Sequence, residues 1–169
     1  NDVVGWCDAD YPLVEVPPPV PDATANRIAD HVAERVPNGA TIQAGIGAVP
    51  EALLAKLADH RDLSIHTELF ADGLMGLATS GAVRLDRPAI TTFALGTQAL
   101  YDYIEDNPTV QFHRVDVVNS REEIAQHPSF VSINATVEVD LYGQCASETI
   151  NGRYWSSSGG QADFARGAL

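Results

Sequence analysis

"TIQAGIGAVPEALLAKLADHRDLSIHTE" (residues 41–68) combines two segments typical of strands with one typical of a helix. The strands are predicted at 41–45 and 62–68, and the helix at 50–59, where Pro50 suits the first helical turn. Strands that alternate with helices form units in which the strands run parallel. This stretch therefore predicts an α/β fold with a largely parallel sheet and flanking helices.

The same alternation continues on both sides of this stretch. Residues 131–141 alternate between apolar and polar side chains, which predicts a strand with one face of each kind. Periodicity and capping residues predict the remaining elements. These are helices at 22–36, 73–80, 97–106 and 120–125, and strands at 89–96 and 109–118.

A proline-rich stretch, VEVPPPVPDA (14–23), precedes the first predicted helix. Polyproline segments are stiff connectors and contribute little to a core. We therefore expect residues 1–21 to be an N-terminal linker segment and residues 22–169 to form one domain. The length of 169 residues suits a single sizeable core.

The charge of the chain argues against one class of partner. Twenty-three acidic residues face ten basic ones, and the net charge is -13. A field of this sign repels phosphate backbones, so we expect no nucleic acid as a partner. Only Lys56 is a lysine, which suggests a protein kept soluble in high salt. An ordinary acidic cytosolic protein is the alternative.

Cysteine content and hydropathy indicate the compartment. Cys7 and Cys145 are too few for a disulfide framework, so both are expected to be free thiols. No apolar run approaches the roughly 20 residues that span a bilayer. No pattern typical of a signal peptide is present. We therefore expect a cytoplasmic protein that does not bind membranes.

Unusual residues follow three predicted strands, in QAGIG (43–47), HTE (66–68) and ALGT (94–97). Ligands bind beyond the carboxyl ends of parallel strands, and glycine there lets a ligand approach the backbone. Glu68 lies between the two glycine-containing ends. It is interpreted as a surface carboxylate, as a metal ligand with His66 and Asp72, or as a reacting group. No further His or Cys cluster supports a metal site, so none is predicted.

Two glycine loops accompany these strand ends. GIGAVP (45–50) lacks the third glycine of a dinucleotide fingerprint, so a Rossmann cofactor site is disfavoured. Its exposed amides suit an oxyanion or a phosphate, and a plain tight turn is the alternative. SSSGGQADF (156–164) leads into a predicted helix and is open to the same two interpretations.

Four motifs together resemble the acetyl-CoA hydrolase/transferase family, which includes 4-hydroxybutyrate and butyryl CoA-transferases. They are IQAGIGAVPEALL, IHTELFADG, SINATVEVDLYGQ and SSGGQADFARGA, in that order. The resemblance implies the CoA-transferase α/β domain, with coenzyme A as a substrate and no cofactor. It implies a catalytic role for Glu68, an active-site role for Asn134, and loop amides at Gly45, Gly47, Gly159 and Gly160.

The implied reaction transfers CoA between acyl-CoA and small carboxylic acids through a glutamyl-CoA thioester on Glu68. An acyl-CoA hydrolase and a non-catalytic acyl-CoA-binding domain are the alternatives. Family members are longer, have two similar domains, and are expected to be homo-oligomers. The resemblance covers the first part of their C-terminal domain, so we expect little turnover from the 169 residues alone.

Overall fold

The computed structural model of the chain describes residues 4–157 and 159–169. Residues 1–3 of the predicted linker segment and Ser158 of the second glycine loop lie outside these residues. The helices are α1 (Ala23–Ala33), α2 (Ala48–Lys56), α3 (Asp72–Ser80), α4 (Gln98–Ile104), α5 (Val115–Val118), α6 (Arg121–Ile124) and α7 (Gln161–Gly167). The strands are β1 (Thr41–Ala44), β2 (Ser64–Ile65), β3 (Leu69–Phe70), β4 (Ala89–Thr91), β5 (Phe93–Ala94), β6 (Val110–Phe112), β7 (Phe130–Ile133), β8 (Glu138–Val139), β9 (Cys145–Ala146), β10 (Thr149–Ile150) and β11 (Arg153–Tyr154).

The central sheet is parallel and has the order β2-β1-β7. A parallel bridge between His66 and Ile90 joins its β2 edge to the parallel pair β4–β6. The pair β3–β5 is also parallel, whereas β8–β9 and β10–β11 are antiparallel hairpins. The structure confirms the predicted α/β fold with a largely parallel sheet and flanking helices.

The main core lies where α1, α2 and α3 pack against the sheet. Ile42, Leu53 and Leu57 are fully buried in it, next to Phe70. Burying each such side chain contributes about 1.5–3 kcal/mol, and replacing one by Ala costs about 2–5 kcal/mol. This packing makes the β1–α2–β2 unit rigid, so the segments that follow β1 and β2 are held in place.

A second, smaller core holds three short helices beside the sheet. Val118 of α5, Ile124 of α6 and Phe164 of α7 are its buried members, and Ile90 and Phe130 pack against it. Helices this short are not stable alone, so these contacts decide their position. The cluster therefore fixes both Asn119, which follows α5, and Gly160, which precedes α7.

The strand predicted at 109–118 is wrong in its second half. β6 ends at Phe112, and Val115–Val118 forms α5. Valine-rich segments have a high β propensity, but Val118 is fully buried against the second core, and that packing overrides the local preference. The strand predicted at 62–68 is shortened to β2, and after a bend at Glu68 the chain forms β3. The strand predicted at 89–96 is divided into β4 and β5, with a bend at Thr92.

The strand predicted at 131–141 is also divided, into β7 and β8. Ile133 is buried in the sheet, but Val139 is 65% exposed and Leu141 is 104% exposed. After β7 the chain leaves the parallel sheet, and β8 pairs only with β9. A two-stranded hairpin has no second layer over it, so the predicted apolar face is not buried among the described residues.

The proline-rich segment lies along the start of α4. Val16 N donates to Gly96 O at 2.9 Å, and Tyr101 Oη donates to Val14 O at 2.7 Å. Glu15 Oε2 accepts from Gln98 N at 2.8 Å, at the positive end of the α4 dipole.

Within the described residues, no helix has both the length and the apolarity needed to cross a bilayer.

Candidate active site

Three of the candidate residues follow neighbouring strands of the central sheet. Gly45 follows β1, Asn134 follows β7, and Glu68 lies three residues beyond β2. Because the strands are parallel, these positions meet at one edge of the sheet. A cavity of about 420 Å³ opens there, and Gly45, Glu68, Asn134, Gly159 and Gly160 all line it.

The backbone of Glu68 is held by three hydrogen bonds to its carbonyl oxygen. Thr92 N donates at 3.0 Å, Phe93 N at 3.2 Å and Thr91 Oγ1 at 3.1 Å. The preceding residue, Thr67, is fully buried. The side chain of Glu68 therefore leaves a rigid backbone, at the bend between β2 and β3.

The carboxylate of Glu68 is half-buried and faces two residues next to the second core, Asn119 and Gly160. Asn119 Nδ2 donates to Glu68 Oε2 at 2.7 Å. A side chain at Gly160 would overlap Glu68 Oε2 and come within 2.6 Å of Asn119 Nδ2, so glycine there allows both side chains to keep these positions. Asn119 Oδ1 is buried without a hydrogen-bond partner among the described residues. The carboxylate is thus oriented by one donor and confined by one glycine.

Asn134 is paired with a buried glutamine of β1. Gln43 Nε2 donates to Asn134 Oδ1 at 3.0 Å, and Asn134 Nδ2 donates to Gln43 Oε1 at 2.9 Å. Ser132 Oγ donates to the same Gln43 Oε1 at 2.7 Å. Gln43 is only 4% exposed, so this amide pair holds Asn134 at the wall of the cavity.

The predicted loop amides differ in what they can donate to. Gly45 N donates to Ile133 O at 2.9 Å, so its N–H is paired within the sheet. A side chain on Gly45 would approach Asn134 Oδ1 to 3.1 Å. Gly159 and Gly160 line the cavity immediately before α7.

Gly47 lies outside this cavity. It is the N-cap of α2, with a φ of 120° that favours glycine. It lines a neighbouring cavity of about 200 Å³, beside the prolines at 17–19. Glu51 lines that cavity as well, and burial, together with the nearby Asp72 carboxylate, raises the pKa of Glu51.

The residues considered for a metal site point in different directions. His66 Nε2 bonds to Val118 O at 2.7 Å, and Asp72 accepts from Thr97 N at 3.1 Å. Neither side chain lines the cavity that contains Glu68. Among the described residues, no group of three or more His, Cys, Asp and Glu side chains is arranged to hold a metal ion.

Asn119 and Gln43 were missed as candidate site residues. Asn119 directly follows the predicted strand 109–118, so the rule that drew attention to Glu68 applied to it as well. Gln43 is a polar residue inside an otherwise apolar predicted strand, a position where a buried side chain needs a partner. His66 was considered only as a metal ligand, although it is buried.

Comparison with known proteins gives the family. Residues 96–169 match the family described as "Acetyl-CoA hydrolase/transferase C-terminal domain". Over 168 residues, 96% of this chain, the sequence is 42% identical to the succinyl-CoA:cyclohexane-1-carboxylate CoA transferase of Geobacter metallireducens. The chain belongs to the acetyl-CoA hydrolase/transferase family.

Two further similarities support membership of the acetyl-CoA hydrolase/transferase family. The 4-hydroxybutyrate coenzyme A transferase of Clostridium kluyveri is 40% identical over 99% of this chain. The crystal structure of a 4-hydroxybutyrate CoA-transferase from Porphyromonas gingivalis superposes on this chain with a TM-score of 0.82, at 34% identity. The superposed region includes 95% of this chain and 39% of the Porphyromonas chain. The chain spans 38% of the length of the Geobacter relative and 41% of the Clostridium relative.

Proposed function

We propose that this chain carries the nucleophile of an acyl-CoA:carboxylate CoA-transferase, and that the nucleophile is Glu68. The main support for this proposal is the position of the Glu68 carboxylate and its hydrogen bond to Asn119. The carboxylate stands at the carboxyl edge of the parallel sheet, on a rigid backbone, and accepts a 2.7 Å hydrogen bond from Asn119. The names of the relatives at about 40% identity, all CoA transferases of carboxylic acids, support this choice of reaction.

The proposed reaction keeps the energy of the thioester bond. A Glu68 oxygen attacks the carbonyl carbon of acyl-CoA, and the C–S bond breaks to give a mixed anhydride and CoA thiolate. The thiolate attacks the glutamyl carbonyl and releases the first acid as a carboxylate, which leaves a glutamyl-CoA thioester. An acceptor carboxylate then repeats both steps in reverse. No proton, nucleotide or cofactor is consumed.

A carboxylate is a weak nucleophile, so the surroundings of Glu68 must supply the rate. Asn119 fixes the direction of the carboxylate, and the rigid backbone limits its movement. We assign oxyanion stabilisation to the backbone amides of Gly159 and Gly160, and we assign to Asn134, whose Nδ2 donates to Gln43 Oε1 and to Ser132 Oγ, the shaping of the cavity wall. The apolar side chains of Leu69 and Phe93 line the same cavity and suit a short acyl group.

Acyl-CoA hydrolysis is the second candidate reaction, because the family description names hydrolase and transferase together. In that case water, not a carboxylate, attacks the glutamyl thioester. A non-catalytic acyl-CoA-binding domain is the third. Our proposal includes acyl-CoA and small carboxylic acids as substrates, a homo-oligomeric full-length form and a cytoplasmic location.

Thioester trapping separates an enzyme from a non-catalytic acyl-CoA-binding domain. The full-length protein is incubated with acyl-CoA and no acceptor, and borohydride then reduces a glutamyl thioester to an alcohol. Peptide mass spectrometry is expected to place this change at residue 68. Glu138, exposed on β8, is the internal control and is expected to stay unmodified. A label at Glu138, or none at residue 68 while exchange proceeds, would contradict the proposal. Exchange between acyl-CoA and an added acid then distinguishes transferase from hydrolase.

A further inference from the structure

His66 is a buried histidine that does not line the cavity of Glu68. It is 5% exposed and lies two residues before Glu68. Its ring makes edge contacts with His127, Phe130 and Phe164, all on the second-core side of the sheet. A histidine buried there needs hydrogen-bond partners for both ring nitrogens. One of these partners, Val118, directly precedes Asn119, which contacts Glu68.

The partners fix the direction of every hydrogen bond around His66. Val118 O only accepts, so His66 Nε2 carries the proton in their 2.7 Å bond. In the neutral ring His66 Nδ1 then accepts, and His127 Nε2 donates to it at 3.1 Å. His127 Nδ1 accepts in turn from Thr41 Oγ1 at 3.3 Å. The result is a chain of donors that runs from Thr41 through His127 and His66 to the Val118 carbonyl.

This chain ends next to the residue that holds the carboxylate. Val118 is the last residue of α5, a helix of four residues, and Asn119 follows it as the C-cap. The last carbonyls of a helix have no partner within it, and His66 supplies one for Val118. Asn119 Nδ2 then donates to Glu68 Oε2. The position of the Asn119 amide therefore depends on a bond made by His66.

We propose that His66 is a positioning residue for the reaction: by donating to the Val118 carbonyl it holds Asn119 against the Glu68 carboxylate. This rests on the proposed function of Glu68. His66 does not touch the reacting atoms. It acts through two links, the Val118 carbonyl and the Asn119 amide, and it requires a proton on Nε2.

The surroundings of the two rings favour their neutral form. Arg87, His113 and Glu123 line a cavity of about 340 Å³ with His66 and His127. Burial lowers the pKa of His66, against a smaller opposite effect of the Val118 bond and Glu123. Burial, then His66 and Arg87, lower the pKa of His127. A second proton on His66 Nδ1 would also face the N–H of His127.

The first test compares two substitutions in the full-length protein. His66→Leu removes the donor to Val118, and we expect it to lower kcat for CoA exchange by about 10- to 100-fold with little change in KM. His66→Gln places an amide N–H where Nε2 stands, and we expect it to recover most of the rate. His60→Leu is the matched control, because His60 bonds to Val36 O at 3.0 Å but lies away from the site. It is expected to lower stability and leave kcat unchanged.

A double-mutant cycle with Asn119→Ala separates positioning from a merely structural role. If His66 acts through Asn119, His66→Leu is expected to change kcat by less than about twofold once Asn119 is Ala. An equal loss of kcat in both backgrounds would overturn the proposal, and so would equal losses from His66→Leu and His66→Gln. Loss of exchange in His60→Leu as large as in His66→Leu would do the same.

A second readout does not depend on catalysis. The side-chain amide of Asn119 gives an NMR resonance that Asn119→Ala identifies by its loss. We expect His66→Leu to shift or broaden this resonance, His66→Gln to restore it, and His60→Leu to leave it in place. An unmoved resonance in His66→Leu would refute positioning by His66, even if Glu68 proves to be the nucleophile. If His66→Leu moves the Asn119 resonance but the wild-type protein shows no CoA exchange, the result would count only against the proposed function.

Discussion

Asn119 Nδ2 lies 2.7 Å from Glu68 Oε2, although 51 positions separate the two residues along the chain. Neither residue belongs to a strand or a helix: Glu68 stands at a bend, and Asn119 caps α5. Their contact depends on the second core, in which α5, α6 and α7 pack together and against Ile90 and Phe130 of the strands. A proposed nucleophile and its orienting donor thus depend on the packing of three short helices.

Glu68→Gln is expected to abolish CoA exchange, because an amide does not attack the thioester carbonyl. The fold should survive, since three hydrogen bonds hold the backbone of residue 68 independently of the side chain. The measurements are the exchange rate, the thermal midpoint and CoA binding. Wild-type exchange in this variant would show that Glu68 is not the nucleophile. Glu68→Asp keeps the charge but withdraws it by about 1 Å, so a loss of about 10²-fold is expected.

Gly160→Ala tests how closely the loop before α7 approaches the carboxylate. Gly160 has a φ of −85°, which suits any residue, so the expected effect comes from the clash with Glu68 and Asn119 alone. Because Glu68 can swing aside, we expect a loss of exchange of about 10²-fold with a small change in thermal midpoint. Gly76→Ala, in open space on α3, is the control and should raise stability by about 0.5–1 kcal/mol without loss of activity. Equal activity in the two variants would contradict the close approach of Gly160 to the carboxylate.

The Gln43–Asn134 pair should behave as one unit. Asn134→Ala is expected to slow exchange less than Glu68→Gln, since the nucleophile remains, and to leave the buried Gln43 amide poorly paired. A buried group left unpaired costs about 1–3 kcal/mol. Gln43→Leu and Asn134→Leu together should therefore lower the free energy of unfolding by less than the sum of the losses from Gln43→Leu alone and Asn134→Leu alone. Urea unfolding of the four proteins measures this, and strict additivity would argue against a coupled pair.

Stability is expected to fall as the pH drops below about 6.5, the ordinary histidine pKa. Folding lowers the pKa of His66 and of His127. Below pH 6.5 the unfolded chain therefore binds more protons than the folded chain, and the free energy of unfolding decreases with it. Above that pH the contribution is complete and does not change. Thermal melts from pH 5.0 to 8.0 check this against His127→Gln, which should show a smaller drop, with exposed His31→Gln as the control. An undiminished drop in His127→Gln would count against the pair.

Salt should stabilise the fold. The net charge is -13, and the described residues form three ion pairs, Lys56–Asp30, Arg84–Asp86 and Arg114–Asp116. Salt screens these attractions as well as the repulsion among the acids, but the repulsion is the larger sum at this charge. We expect the thermal midpoint to rise from low to molar KCl. A midpoint that stays level or falls would remove the support for adaptation to high salt.

The alternation between 41 and 106 allowed the α/β fold to be predicted from local patterns. Thr41–Ala44, α2 and α3 form where periodicity, Pro50 and the closing Gly81 place them. The prediction failed for Val115–Val118 and beyond residue 133. In the first case buried contacts of Val118 outweigh the β propensity of valine. In the second, an alternating pattern does not reveal whether a layer lies over it.

Glu68 and Asn134 could be proposed as site residues from the sequence because each lies in a motif of the family, and Glu68 also ends a predicted strand. The hydrogen-bond partners of Asn119, Gln43 and His66 could not be predicted, because they lie 51 to 91 positions away and no local pattern encodes such a pairing. Periodicity reports which face of an element is apolar, and this is a local property of the chain. Which polar groups meet at the end of a sheet depends on how separate elements pack, and this packing is established only when the whole domain is folded.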